Sequence, residues 1–175
     1  YIDEHFGGSD MIENIFDAGV NTNSQNGDYS HEAIDDALST IGSSFQEALN
    51  GMAIANVVMS SNPGNDTEMY TYEEVENFPI DGPAIYRTIN FSDEEEFEFV
   101  QSTSLNQYAS QYIKINTDTP ILVTLDTLDQ SLSDFGLHGV VKYTNDDYDI
   151  LSDDSLFIYN SLYNVEEIYA VIVSQ

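Results

Sequence analysis

Apolar residues recur at helical spacing through the first third of the chain and at strand spacing through most of the rest. Met11, Ile12, Ile15 and Phe16 fall on one face of a helix predicted to open at Ser9 and close at Gly19. Ahead of it, residues 1–8 read as the last turns of another helix, closed by Gly7 and Gly8. Ala33, Ile34, Ala37, Leu38 and Ile41 stripe a further helix that follows Ser30 and stops at Gly42. Ser44 and Glu47 then stand at capping-box spacing. From there Phe45, Ala48, Leu49, Met52, Ala53, Ala55, Val57 and Val58 define a longer helix, apolar on nearly all sides. A helix of that kind is normally enclosed by other structure. The polar cluster of residues 60–65, with Pro63 and Gly64, ends it.

Beyond Pro83 the period changes. Segments 84–91, 96–100, 108–115, 121–128, 139–143, 155–159 and 167–173 are short and rich in β-branched and aromatic residues. Turn-forming residues at 116–118, 145–147 and 152–154 separate several of them. Helices followed by strands, rather than alternating with them, predict an α+β chain. The expected organisation is a small helical subdomain over 1–62, a connector over 63–82 and an antiparallel β-sandwich of about seven strands over 83–175. No internal repeat and no apolar run of the ~20 residues a membrane helix needs is present.

Composition narrows the function classes. Thirty-two Asp and Glu face three cations, Arg87, Lys114 and Lys142, for a formal net charge of −29 over 175 residues. Nucleic-acid binding depends on Lys and Arg displacing counterions from phosphates, so a nucleic-acid partner is excluded. Anionic membrane surfaces recruit polybasic segments, which are absent here. The 41% hydrophobic content, with twelve Tyr and nine Phe, separates the chain from acidic disordered sequences. With no Cys, neither disulfides nor thiol chemistry contribute.

Two patterns raise metal chemistry. His31-Glu32-Ala33-Ile34-Asp35 is HExxH with Asp in the second ligand place. His31 and Asp35 at i and i+4 share a helix face, with Glu32 placed as a base. A zinc centre needs a third ligand, and only His5 and His138 remain among the histidines. Acidic residues in the first turn also answer the helix dipole without any metal. For calcium, Asn21, Asn23, Gln25 and Glu32 occupy positions 1, 3, 5 and 12 of an EF-hand-like count. The sixth position is Asn26 rather than Gly, and three neutral amides make a weak site, so a plain polar loop accounts for the same residues. Asp146, Asp147 and Asp149, or Asp153 and Asp154, are further acidic groups in predicted turns, whereas residues 93–96 read as a solvated charge run. No G-x-S-x-G or other nucleophile motif stands out.

A resemblance adds to this reading. Tyr1-Ile2-Asp3-Glu4-His5-Phe6-Gly7-Gly8 resembles the "YLxExFGG" helix end that follows the catalytic core of secreted gluzincin-type zinc metallopeptidases of the hyicolysin-like and immune-inhibitor-A-like groups. Phe45-Gln46-Glu47-Ala48-Leu49-Asn50-Gly51-Met52-Ala53-Ile54-Ala55-Asn56 resembles their "FxEvFxDWAxAN" helix, with Leu49, Gly51 and Met52 departing from it. Tyr70-Thr71-Tyr72 stands where they carry "YGY", and residues 106–113 resemble the strand opening their C-terminal β domain. The resemblance implies a non-catalytic segment, extracellular or at the cell surface, with an upstream peptidase domain as partner. The zinc ligands of such enzymes lie upstream of the Tyr1 motif, so no catalytic residue transfers to this chain. Tyr1 stands where an initiator Met is missing, which fits a segment of a longer precursor. The alternative expectation is an extracellular structural subunit that assembles with identical subunits, and an autonomous hydrolase is the third.

One outcome follows from charge alone. Self-repulsion at −29 opposes the compact state, and salt shortens its reach from about 30 Å at 0.01 M to about 3 Å at 1 M. Thermal melts across that range should show the midpoint rising by about 2–4 °C for each kcal/mol of repulsion relieved. A midpoint indifferent to both NaCl and Ca²⁺ would contradict the expectation.

Overall fold

A computed structural model of the protein describes residues 1–21, 31–59, 68–72, 82–91, 105–117, 119–125, 135–153, 155–158 and 165–174. The fold is α+β. Four helices come first: α1 (Ile2–His5), α2 (Gly8–Asn21), α3 (His31–Ser39) and α4 (Phe45–Val58). A 3-10 turn, Glu68–Tyr70, precedes seven described strands: β1 (Arg87–Asn90), β2 (Ser110–Asn116), β3 (Ile121–Thr124), β4 (Phe135–Tyr143), β5 (Tyr148–Ser152), β6 (Ser155–Ile158) and β7 (Val165–Ser174).

The strands divide into a five-stranded sheet, ordered β1-β2-β7-β4-β5, and a two-stranded ladder of β3 with β6. β2, β7, β4 and β5 pair antiparallel, but β1 runs parallel to β2, with Arg87 opposite Ile113. The sheet is therefore mixed, where the sequence pattern predicted purely antiparallel pairing. The stretch from Asn90 to Ser110 exceeds the dozen or so residues that a parallel crossover requires. Segment 96–100, predicted as a strand, lies outside the described residues.

Both faces of the sheet are covered. Tyr112, Val140, Val171 and Val173 face α4, which contributes Leu49, Ala53, Ile54 and Val58. Ile113, Ile115, Leu137, Val141, Ile168 and Ala170 face the ladder, whose Leu156 and Ile158 close the second core. Burial on both sides explains why β4 and β7 read as nearly continuous apolar runs. On its other side α4 meets the smaller helices, with Ala48 packed among Phe6, Met11, Ala37 and Leu38.

The helix ends show how local sequence sets the layout. Ser44 Oγ accepts a hydrogen bond from the Glu47 backbone N–H at 3.1 Å, the first half of the expected capping box. The Glu47 carboxylate turns instead to the Ser43 hydroxyl at 2.7 Å. α2 differs from expectation at both ends: it begins at Gly8, before Ser9, and runs through Gly19 to Asn21. Gly19 is buried inside it, although a mid-helix glycine costs ~1 kcal/mol relative to alanine. Only half of the predicted apolar face of α2 is covered: Met11 is buried, whereas Phe16 is 72% exposed.

Ile54 is 1% exposed between α4 and the sheet. Ile54→Ala should cost about 2–5 kcal/mol. Because α4 contacts both layers, helix ellipticity and tyrosine near-UV signals should be lost in one shared, earlier denaturant transition. Two separated transitions would show that helices and sheet do not share a core.

Candidate functional site

The sequence singled out the start of α3, and there the fold forms an open cleft of about 430 Å³ lined by His31, Glu32, Asp35, Asp36, Phe45, Gln46 and Tyr108. α3 supplies four of these residues because His31, Glu32, Asp35 and Asp36 recur at helical spacing. The first turn of α4 supplies Phe45 and Gln46. Tyr108 arrives from the turn before β2, where its backbone takes the left-handed conformation, φ 59°. That turn is held by Ala109 N–H donating to Asn106 C=O, and by Ser174 N–H donating to Ala109 C=O.

Three rings converge in the cleft. His31 and Tyr108 lie 4.5 Å apart between centroids, and Phe45 meets Tyr108 edge-on at 5.2 Å. Such pairs contribute about 0.5–1.5 kcal/mol beyond the area they bury. Asp35 Oδ1 accepts a hydrogen bond from the Phe45 backbone N–H at 2.8 Å, answering a donor that the start of α4 leaves unpaired. The HExxD pair thus does share a face, and the fold uses it to join α3 to α4 and to Tyr108. The lining has acceptors and π-faces but no Lys or Arg.

The other predicted metal residues are only partly within the described chain. Asn21 is the last residue of α2, and Glu32 stands in the first turn of α3. Asn23 and Gln25 lie outside the described residues, as does Asp154. In the β4–β5 turn, Asp149 accepts from the Tyr143 hydroxyl at 2.5 Å and Asp147 accepts from the Asn145 amide at 2.5 Å. Asp146 lies 3.6 Å from Lys142. Among the described residues no three of His, Asp and Glu converge on a point that would hold a metal ion. The histidines occupy three separate settings. His5 Nε2 is 2.8 Å from Thr71 C=O, His31 lies in the cleft, and His138 is buried in β4.

A second cluster joins residues distant in sequence. The Tyr1 hydroxyl donates to Met69 C=O at 2.7 Å, and its ring meets His5 at 4.5 Å and Tyr72 at 6.1 Å. The Tyr72 hydroxyl donates to Asn56 Oδ1 at 2.8 Å, and Asn56 Nδ2 reaches the Tyr112 hydroxyl at 3.4 Å. Burial, then the neighbouring Tyr112 and Glu4, push the Tyr72 hydroxyl up to about 12, so it remains a donor at physiological pH. The Tyr1 hydroxyl rests so closely on α4 that a Cβ at position 51 would displace the Tyr1 side chain. Sequence reasoning placed Tyr1, Asn56 and Tyr72 in separate motifs. Nothing in their spacing showed that one amide would link them.

His138 is the remaining buried titratable group. Its Nδ1 lies 2.8 Å from Ser152 Oγ, while Nε2 has no protein hydrogen-bond partner and occupies the space a Cβ at Gly136 would need, beside the Asn50 side chain. Burial pushes its pKa below the ordinary imidazole value. In the unfolded chain it titrates near 6.5, so on acidification the unfolded state takes up the proton first. Its contribution is complete above pH ~6.5 and is lost as pH falls below that value, by at most about 1.4 kcal/mol per pH unit. His138→Gln should therefore flatten the fall in stability measured by urea melts between about pH 7 and 5. Parallel slopes in parent and variant would show that His138 protonates equally in both states.

No described helix is long and apolar enough to cross a membrane. Comparison of the chain with protein-family models, with curated proteins and with solved structures finds no match.

Proposed function

We propose that this chain is a non-catalytic segment of a secreted, metallopeptidase-like protein. In this reading the helices complete the lower part of a peptidase domain. The strands form an appended sandwich-like module with a binding or structural role.

One observation carries it. Three residues that bear the resemblance, Tyr1 from 1–8, Asn56 from 45–56 and Tyr72 from 70–72, meet at a single node. The Tyr1 ring meets Tyr72, and Asn56 accepts from the Tyr72 hydroxyl and reaches Tyr112 in the 106–113 segment. Residues that define one structural motif are expected to touch, and unrelated matches to short patterns have no reason to. The use of His31 and Asp35 in ring packing and helix capping supports the non-catalytic half of the reading. Calcium remains a proposed ligand only through Asn21, Asn23, Gln25 and Glu32, and its weak ligand set gives it no part in this role.

Sequencing the gene upstream of the Tyr1 codon tests the reading. The expected result is an HExxH motif followed by a Glu-bearing helix, with casein cleavage by the longer product and none by the present chain. An unrelated upstream domain would overturn the proposal. Zinc-dependent cleavage by the present chain, abolished by His31→Ala, would do so as well.

A further inference from the structure

α2 carries a second apolar face that is exposed among the described residues. Its Met11 side is buried against Phe6, Leu38 and Ala48. Ile12, Phe16 and Val20 are 47%, 72% and 59% exposed. Spaced by four residues, they form a continuous stripe about 12 Å long at 1.5 Å rise per residue. At about 100° per residue, the buried seam borders this stripe on one side and a row of Asp10, Glu13 and Asp17 on the other. Those three carboxylate residues are exposed, and α2 has no Lys or Arg.

We propose that this stripe docks an amphipathic helix of another protein, one that presents an apolar row flanked by Lys or Arg. Charge decides among the occupants. A second copy of the chain would bring a further −29 against the same carboxylate row. Helices that lie on lipid surfaces carry cations on their polar face, and α2 carries none. A helix with an apolar row set beside cations matches both the stripe and the row. Ridges of i, i+4 residues on one helix seat another at an interaxial distance of about 8–10 Å, within reach of a Lys side chain. The inference goes beyond the metallopeptidase-like reading and requires that an upstream domain, where one precedes Tyr1, leave this stripe open.

The test uses the purified chain and a fluorescein-labelled synthetic helix of about 18 residues, five turns long, with Leu at i, i+4 positions and Lys elsewhere. Controls are a scrambled Leu/Lys peptide and a patterned Leu/Glu peptide. Fluorescence anisotropy should show saturable one-to-one binding of the patterned Leu/Lys peptide only. Phe16→Ser leaves the net charge unchanged and should weaken that binding roughly tenfold or more. Joint replacement Asp10→Asn, Glu13→Gln and Asp17→Asn should reduce the salt dependence. If Phe16→Ser lowers the melting temperature, Val20→Ser at the other end of the stripe replaces it. Equal binding of the scrambled peptide, or binding indifferent to both stripe variants, would reduce the effect to general attraction of cations and overturn the proposal. A dimer of the parent chain that Phe16→Ser dissociates would overturn it in favour of a second copy.

Discussion

The structure depends on one helix having two apolar sides. α4 is placed where the small helices and the sheet meet, and each would expose its core without it. The two sides differ in kind. Leu49, Ile54 and Val58 fill the space over Val140, Val171 and Val173. Toward the small helices the residues are Ala48, among Leu38 and Phe6, and Gly51, under Tyr1. Large side chains on the sheet side and small ones on the helix side let α4 approach both layers at close-packed distance. A sequence that made both sides large would force one layer away.

Apart from His138 Nε2, polar groups brought inside by this arrangement are answered locally. Asn56 stands near the end of α4, and its amide faces Tyr72 and Tyr112 from two other elements. Ser110 Oγ donates in turn to the Tyr112 hydroxyl at 2.9 Å. The Tyr148 hydroxyl donates to the Val58 backbone carbonyl at 3.1 Å, one of the acceptors that the end of a helix leaves unpaired. Satisfied networks of this sort set the angle between layers, because each partner is lost if the helix rotates.

The helices were largely legible in the sequence because caps and periodicity are local signals. Gly42, Ser44 and Glu47 mark their boundaries within a few residues of one another. The strands were less so. β5 was missed because Asp149 and Asp153 made the region resemble an acidic turn, although Tyr148 and Ile150 alternate toward α4. β4 starts at Phe135 rather than Gly139, since Gly136, His138 and Gly139 are poor strand formers that cross-strand pairing with β7 overrides. The parallel pairing of β1 is a tertiary choice with no local signature. The cleft was half legible. The shared face of His31 and Asp35 followed from spacing, but Tyr108 joins them only through the folded chain.

Charge imposes a further order on the whole. Among the described residues, acids are kept from α4 beyond its first turn, where Glu47 meets the helix dipole, and Asp149 is the acid set within the β4–β5 pairing. Two of the three cations are spent at one place. Lys114 on β2 pairs with Glu167, and Lys142 on β4 reaches Glu166 at 2.9 Å, so both neighbours of β7 send a lysine to its adjacent acids. Burial alone would raise the Glu167 carboxyl, but hydrogen bonds from Lys114 and Tyr169 outweigh it and hold its pKa down. Exposed pairs contribute little energy, typically about 0–1 kcal/mol. Their value here is positional. A slip of β7 by one residue would exchange its two faces and break one of the two pairs, because the adjacent glutamates could replace each other at only one lysine. Among the described residues, these two cross-strand pairs favour the observed register as well as adding stability.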